Sequence, residues 1–334
     1  MHGFSRRFGF TAVSISALIC AATPAWAQQK IDFAIHYPER SAATATFKWW
    51  IGEVDKATQG RVKFVPHYAA ALVTANETLK AVRDGAVPAG SVHAAALSGQ
   101  MPAFAYLEAI GGMPVERAQY LEAVKALRPV LERQFRAQGK GVEYLWSESL
   151  GELIVLCRNR HMKSPADWKG LKVRTAGRWQ AEQLRGMGVS TVAMDVSEQY
   201  IALQNRTIDC ALLVSGLASA LKVHEVAPKV TLLRMSVNFN SFIMNKGIYD
   251  KISAADRASM KRLAVEAESR ASASLAKDET DAVNLMKSQK ADIYAITDAE
   301  RSELRKGIAS SYAKMGTEGG AAGKEIGDVL KRYW

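Results

Sequence analysis

A stretch of roughly 35 residues without glycine or proline, from Ala255 to Lys290, constrains the fold more than any other part of the chain. Ser253 and Asp256 stand three residues apart at its start, a spacing that predicts a helix-capping box. At a rise of 1.5 Å per residue such a helix is about 50 Å long, which exceeds the width of a small domain. We therefore expect two domains, with this helix running along both.

Apolar strand-like segments alternate with helical segments through the rest of the chain. This alternation predicts α/β domains with largely parallel sheets. Segments 142–148 and 153–158 are expected to form a strand pair or one long strand. The other predicted strands are 31–37, 61–68, 90–94, 171–175, 190–194, 208–214 and 292–296; the other predicted helices are 42–58, 77–84, 118–138, 179–187, 197–205, 298–314 and 322–333.

The first 27 residues have the pattern of a secretory signal peptide. Arg6 and Arg7 precede an apolar run over 10–22, and residues 25–27 (Ala-Trp-Ala) place small side chains around a cleavage site before Gln28. The apolar run is too short to span a bilayer. We expect an exported, periplasmic protein whose mature chain begins at Gln28.

The charge balance does not indicate a nucleic-acid-binding protein. The chain has 44 lysines and arginines against 33 acids, and loss of two arginines with the leader leaves 42 − 33 = +9. These basic residues are interleaved with acids along predicted helices, and no basic run or stacking aromatic motif occurs. The surface is expected to be basic and solvated.

Two cysteines, Cys157 and Cys210, remain after removal of the leader. Two cysteines are too few for the disulfide framework that holds small secreted domains together. A single bridge between them is compatible with an oxidising compartment, and the sequence leaves that pairing open.

The chain carries no local catalytic or cofactor motif. It lacks a Gly-rich phosphate loop, a G-x-S-x-G elbow, an H-E-x-x-H helix and cysteines at metal-ligand spacing. Its six histidines are scattered, so their spacing does not favour a metal site. An exported two-domain α/β protein of this kind is expected to bind a ligand rather than catalyse a reaction, with neither cofactor nor metal.

Two nearby segments resemble the signature region of the solute-binding proteins of tripartite ATP-independent periplasmic (TRAP) transporters, the DctP family. They are SPADWKGLKVRTAG (164–177) and GVSTVAMDVSEQYIALQNRTIDCALL (188–213). GRVKFVPHYAAAL, ETLKAVRDGAV and GGMP also resemble family segments, and the similarity extends over 30–330. The resemblance implies a two-lobed periplasmic binding-protein fold with a hinge and a ligand cleft. It places domain 1 at 28–151 plus about 240–281, and domain 2 at 152–239 plus about 282–334.

Arg174 lies on the predicted strand 171–175, where a charged residue is unexpected. Judged from the residues alone, an ion pair with an acid on a neighbouring strand is the more common explanation. The matching arginine of the family projects into the cleft and binds the ligand carboxylate, because a planar guanidinium offers it two parallel donors. The resemblance therefore implies that Arg174 binds the carboxylate of the ligand.

Three positions depart from the family pattern. An apolar residue near Ile154 stands where many members carry a second arginine, and Leu213 lies where the family often offers an asparagine. His93 or a neighbour replaces an acid that is common in the pocket. With fewer polar groups and more aliphatic wall, the site should favour a monocarboxylate with an apolar or aromatic body over a dicarboxylate or sugar acid.

Six further residues are weaker candidates for ligand contacts, and each has a structural alternative. Beside Arg174, the Trp179 ring either stacks on the ligand or packs between helix and sheet, and Arg178 either contacts the ligand or lies at the surface. Loop residues after the first strand face the cleft or the solvent, and two amides either donate to the ligand or satisfy hinge backbone. These candidates are Trp179, Arg178, Glu39, Ser41, Asn238 and Asn240.

The sequence thus predicts a monomeric receptor that captures a small organic acid and delivers it to integral membrane TRAP subunits. The alternatives are a receptor for a dicarboxylate or sugar acid, a receptor of an ATP-driven importer, and a ligand sensor for a membrane signalling protein. An exported hydrolase or lyase would need a nucleophile or metal beside Arg174. Neither a nucleic-acid partner nor a cofactor is expected.

Overall fold

The computed structural model describes residues 1–3, 29–137 and 141–334. The predicted signal peptide and its cleavage site before Gln28 lie outside the described residues, apart from residues 1–3. None of the helices in the described ranges combines the length and apolar character needed to cross a membrane.

The strands form two mixed sheets, and the part of the chain around each sheet is called the first or the second lobe below. The strands are β1 (Gln29–Ala34), β2 (Val62–His67), β3 (Ala89–His93), β4 (Val142–Glu148), β5 (Glu152–Cys157), β6 (Lys172–Thr175), β7 (Ser190–Ala193), β8 (Cys210–Val214), β9 (Lys229–Val237), β10 (Asn240–Asn245) and β11 (Asp292–Ala295). The first sheet has the order β2-β1-β3-β10-β4 and the second β11-β9-β5-β8-β6-β7.

Helices flank both sheets, so the predicted two-lobed α/β architecture is confirmed. They are α1 (Thr44–Ala57), α2 (Thr78–Arg83), α3 (Ala94–Ser98), α4 (Ala105–Glu108), α5 (Arg117–Ala137), α6 (Pro165–Trp168), α7 (Arg178–Arg185), α8 (Gln199–Gln204), α9 (Ser215–Ala220), α10 (Lys246–Lys251), α11 (Ala254–Ser288), α12 (Asp298–Ile308), α13 (Ser310–Glu318) and α14 (Gly320–Leu330); short 3₁₀ turns cover Pro102–Phe104, Val223–Glu225 and Lys331–Tyr333.

Parallel pairing is interrupted where the chain passes between the lobes. Strand β4 continues into β5, and β9 continues into β10, so two connections cross side by side. In the first sheet β4 pairs antiparallel with β10, and in the second β5 pairs antiparallel with β9. The prediction for 142–158 was therefore wrong in detail, because the two segments neither pair with each other nor form one strand.

Gly151 lies at the first crossing and has a positive φ of 123°. A Cβ atom at this position would come within 2.2 Å of the Ser215 hydroxyl oxygen. Both the backbone conformation and the close approach of the second lobe therefore require glycine here.

The predicted long helix is confirmed as α11, a 35-residue helix of about 52 Å. It packs against α1, α5 and β4 of the first lobe and against α9 and β11 of the second. The Ser253 side chain accepts a hydrogen bond from the Asp256 amide, as expected of an N-cap. Asp256 does not complete the predicted box, because its carboxylate pairs with Arg61.

The C-terminal region contains three helices where two were predicted. Helix α12 packs on α6, α7 and β9 of the second lobe, whereas α14 packs on α5, α4 and the Pro102–Phe104 turn of the first. The C-terminal segment thus contacts both lobes, and the predicted domain limits stay a proposal.

A disulfide joins Cys157 to Cys210, a pairing that the sequence left open. The two residues are register partners on the neighbouring strands β5 and β8, and both are buried. The bridge encloses the segment that contains α6, β6, α7, β7 and α8.

Candidate ligand-binding site

A small cavity lies between the lobes at the carboxyl ends of several strands. Its volume is about 60 Å³. The first lobe contributes residues at or just after the ends of β1, β3 and α4, and the second contributes the ends of β6, β8 and β9. Crevices outside the carboxyl ends of strands are where α/β proteins commonly bind ligands.

Arg174, on β6, is the buried cation of this cavity, and the residue is only 3% exposed. Its Nε and Nη2 donate to the Met194 carbonyl oxygen at 3.1 and 3.0 Å, and Nη1 donates to the Leu212 carbonyl oxygen at 3.0 Å. A guanidinium has five N–H donors, so these bonds fix its plane and leave two donors free.

No acid among the described residues forms an ion pair with Arg174. Burial lowers the pKa of Arg174 to about 10, while the more distant Asp195 and Glu198 partly oppose this shift. The side chain therefore remains charged at neutral pH. An unpaired buried cation is energetically unfavourable, so the cavity is suited to an anion that supplies the missing charge.

Two neutral histidines lie on the first-lobe side of the cavity. His93 ends β3, and its Nδ1 accepts a hydrogen bond from the Ala96 amide at 3.2 Å. The ring of His36 lies 5.4 Å from that of His93, and its Nδ1 lies 2.9 Å from the Ser91 hydroxyl oxygen. Burial lowers the pKa of His36 to about 4 and that of His93 well below its ordinary value.

Aliphatic side chains and one aromatic ring form most of the remaining wall. They come from both lobes and from the crossing segments, and they offer a ligand no polar side-chain atom. These residues are Leu107, Leu150, Leu153, Val196, Leu212, Leu213, Val214, Leu217, Val237 and Phe239.

Glu108 is the acid that lines the cavity, and it belongs to the first lobe although its hydrogen bonds reach the second. Its Oε1 accepts from the amides of Trp179 and Gln180 at 3.0 and 3.2 Å, at the N-terminus of α7. Its Oε2 accepts from the Ser98 hydroxyl. Burial raises its pKa to about 7, although these donors oppose the shift. The carboxyl group is thus already engaged by the protein.

Four of the predicted site residues come together at this cavity: Arg174, His93, Leu213 and Asn238. Asn238 also supports the hinge, because its Oδ1 accepts from the Leu150 amide at 2.6 Å and from the Ser149 hydroxyl at 3.0 Å. Asn238 can therefore satisfy hinge backbone and also face a ligand, so the two alternatives that the sequence left open are compatible.

Three predicted ligand contacts, Trp179 and Arg178 of α7 and Ile154 of β5, do not line the cavity. Trp179 is fully buried outside the cavity wall, with the Arg178 guanidinium 4.7 Å from its ring centroid. Arg178 pairs with Glu318 at 2.6 Å, in agreement with its surface alternative. Ile154 points away from the cavity, and its neighbour Leu153 lines it instead.

Three more candidates lie outside the cavity lining. Glu39 is largely exposed and pairs with Lys48. Ser41 lines a separate cavity beside α9 and α11. Asn240 is fully buried between its register partners His93 and Glu148.

Sequence reasoning missed His36, Glu108 and Gln180, which also line the cavity. Glu108 had a detectable signal, because it is the only Asp, Glu, Lys or Arg in residues 85–115. A lone acid in so apolar a segment is unfavourable to bury unless it has a specific partner. That partner, the N-terminus of α7, lies about 70 residues further along the chain and was not visible locally.

The buried acid Glu148, at the end of β4, is expected to make the stability of the protein depend on pH. It is fully buried beside the hinge, its Oε1 accepts from the Tyr37 hydroxyl at 2.8 Å, and burial raises its pKa to about 8. Between pH 4.5 and 8 the folded state holds a proton that the unfolded state releases. This group's contribution to stability is therefore lost as pH rises, with a slope of up to about 1.4 kcal/mol per pH unit.

We expect Glu148→Gln, which cannot ionise, to gain stability relative to the unsubstituted protein as pH rises from 5.5 to 8. Urea unfolding at several pH values measures the difference in free energy of unfolding. Taking this difference removes the contributions of the histidines, Glu108 and Glu152, which both proteins share. A difference that stays constant over this pH range would contradict the assignment.

A cleft between two lobes with a buried arginine that pairs with no acid in the described part of the chain is the arrangement expected of a solute-binding receptor. The family model described as bacterial extracellular solute-binding protein, family 7 (DctP), matches residues 33–318, and the chain belongs to this family. Its members are periplasmic receptors that bind substrates and are not enzymes, which confirms the predicted class.

Individual relatives are distant in sequence and close in fold. A solute-binding protein of Albidiferax ferrireducens is 26% identical over 252 residues, 74% of this chain and 73% of that protein. The structure of DctP6, a Bordetella pertussis extracytoplasmic solute receptor binding pyroglutamic acid, has a TM-score of 0.83 at 20% identity, covering 91% of this chain and 100% of that one. The sugar acid binding protein DctPAm of Advenella mimigardefordensis, in complex with galactonate, has a TM-score of 0.80 at 18% identity, covering 92% and 99%.

Proposed function

We propose that this protein is a periplasmic, monomeric receptor for a small monocarboxylate with an apolar or aromatic body, which it delivers to the membrane subunits of a TRAP transporter. The observation that carries the proposal is the buried guanidinium of Arg174. It is oriented by two backbone carbonyls, retains two free donors and has no acidic partner among the described residues. A ligand carboxylate is the group that best matches these free donors.

The wall of the cavity supports a monocarboxylate over a more polar ligand. A sugar acid carries several hydroxyl groups, each of which is costly to bury without a partner. Thirteen of the twenty lining residues are apolar, and several of the seven polar ones, such as Glu108 and Gln180, already bond within the protein. The ligands of the related receptors differ in polarity: DctP6 is described as binding pyroglutamic acid, whereas the sugar acid binding protein DctPAm was crystallised with galactonate.

Ligand binding would stabilise a closed arrangement of the lobes about the two crossing segments. Arg174 belongs to the second lobe and His93 to the first, so a ligand that contacts both binds the closed form more tightly. Arg40, in the first lobe, donates through Nε to the Ala220 carbonyl oxygen of α9 at 2.7 Å and adds a contact between the lobes. We propose the domain limits predicted above for the two moving parts.

A thermal-shift screen of ligand-free protein tests this proposal. The compounds are small aliphatic and aromatic monocarboxylates, dicarboxylates and sugar acids, each compared with its neutral amide. We expect monocarboxylates to stabilise the protein, by about 2.7 kcal/mol at 100 times the dissociation constant, and the amides to have little effect. Stronger binding of dicarboxylates or sugar acids would overturn the ligand class, and equal binding of acid and amide would overturn the carboxylate site.

A further inference from the structure

The hydrogen bond that His93 makes as a helix cap fixes its tautomer. His93 is the N-cap residue of α3, and its Nδ1 accepts from the Ala96 amide at 3.2 Å. A nitrogen that accepts a hydrogen bond through its lone pair carries no proton. In the neutral ring the proton therefore lies on Nε2, and this atom is a hydrogen-bond donor.

The surroundings of the ring disfavour its charged form. His93 is close to His36 and shares the cavity with the cationic Arg174. A second proton on the ring would sit on Nδ1 and break the cap, and the resulting cation would be repelled by Arg174. His93 is thus a neutral side chain with a single donor.

None of the described residues accepts a hydrogen bond from that donor. The Nε2 atom of His93 makes no hydrogen bond with any of the described residues, and the ring lines the cavity. The acid on the same side, Glu108, already accepts from two α7 amides and from the Ser98 hydroxyl. The first lobe therefore offers the ligand a neutral N–H group rather than a free charge.

We infer that His93 determines specificity within the proposed monocarboxylate class: its Nε2–H selects ligands that carry an uncharged oxygen acceptor, such as a carbonyl or hydroxyl oxygen, besides the carboxylate. The inference rests on the proposed function and narrows it. A hydrocarbon body would cover this cavity-facing donor without offering it a partner, and an ammonium group would meet an N–H donor and a nearby guanidinium. Simple fatty acids and free amino acids are both disfavoured.

Two sets of acids with nearly matched shapes test the inference by calorimetry. The ring set is pyroglutamate, cyclopentanecarboxylate and proline; the open-chain set is 2-oxobutyrate, butyrate and 2-aminobutyrate. We expect the oxygen-bearing acid to bind about tenfold more tightly than its hydrocarbon analogue in at least one set, which corresponds to one satisfied buried hydrogen bond. The amino acids should bind more weakly than either.

Two variants separate the role of His93 as the N-cap of α3 from its proposed contact with the ligand. His93→Asn keeps a good N-cap residue, but its side chain is too short to reach the position of Nε2. It should fold with a melting temperature near that of the unsubstituted protein and reduce the preference for the oxygen-bearing acid to less than about threefold. His93→Ala loses both functions and should also lower the melting temperature.

The possible failures are distinguishable. If hydrocarbon acids bind as tightly as their oxygen-bearing analogues, or if His93→Asn retains the full preference, the inference is wrong and the monocarboxylate function stands. If the amino acids bind most tightly, the ligand's ammonium group is bound by Glu108 and His93 does not determine specificity, so the inference is again wrong. If none of the six compounds binds, the inference is wrong, and the acid-and-amide screen described above decides separately whether the monocarboxylate function stands.

Discussion

Replacing Arg174 with methionine should weaken binding of the carboxylate ligand by about 30- to 5,000-fold, corresponding to about 2–5 kcal/mol. The substitution keeps an unbranched side chain of similar length but removes the charge that the cavity presents to an anion. It also removes the donors that satisfy the Met194 and Leu212 carbonyl oxygens, so apo stability must be measured separately. Calorimetric titration of the best ligand from the acid screen gives the affinity.

Arg178→Met is a matched control, because Arg178 lies four residues away in the same lobe, pairs with Glu318 and does not line the cavity. It should leave the affinity within about twofold. Arg174→Lys should give an intermediate loss, since one ammonium cannot reproduce the planar fork that bonds two carbonyls and a ligand. If Arg174→Met binds within threefold of the unsubstituted protein, Arg174 has a structural role and the proposed carboxylate site is wrong.

Removing the disulfide should cause a large loss of stability. Cys157 and Cys210 are separated by 53 positions in the sequence, and the chain-entropy model gives about 4 kcal/mol for a loop of this length. We expect Cys157→Ala/Cys210→Ala to lower the melting temperature by on the order of 10 °C. The double substitution avoids leaving an unpaired thiol in the core.

Ligand affinity of this double variant should change little at a temperature where it is folded. The bridge lies at the end of β5 and the start of β8, whereas residues nearer the other ends of these strands line the cavity. A reductant should destabilise the unsubstituted protein and have no effect on the double variant. If the melting temperature of the double variant lies within about 2 °C of that of the oxidised, unsubstituted protein, the expected contribution of the bridge is contradicted.

The order of the elements was predictable because their patterns are local. The long helix followed from the lack of glycine and proline over 255–290, and the strands followed from short apolar segments between polar turns. The pairing direction of β5 and β10 was not predictable in this way. Their partners are chosen by the passage of the chain between two sheets, and no local pattern records that passage.

Within the candidate site, the family resemblance led to Arg174, which lines the cavity, but it missed the lining where a single position decides which way a side chain points. Successive residues of a strand face opposite sides, so an alignment uncertain by one residue named Ile154 in place of Leu153. The contact of Glu108 with α7 joins distant segments, and His36 depends on how β1 lies beside β3. Such positions follow from tertiary structure rather than from sequence pattern.

The two side-by-side crossings have a mechanical consequence. Ladder hydrogen bonds join β4 to β10 on one side of the crossing and β5 to β9 on the other, so the short unladdered segments 149–151 and 238–239 form a strip two strands wide. Such a strip bends readily about an axis across its width, but sliding one strand past the other would break both ladders at once. The two connections therefore favour swinging over sliding for any motion between the lobes, because swinging leaves both ladders intact.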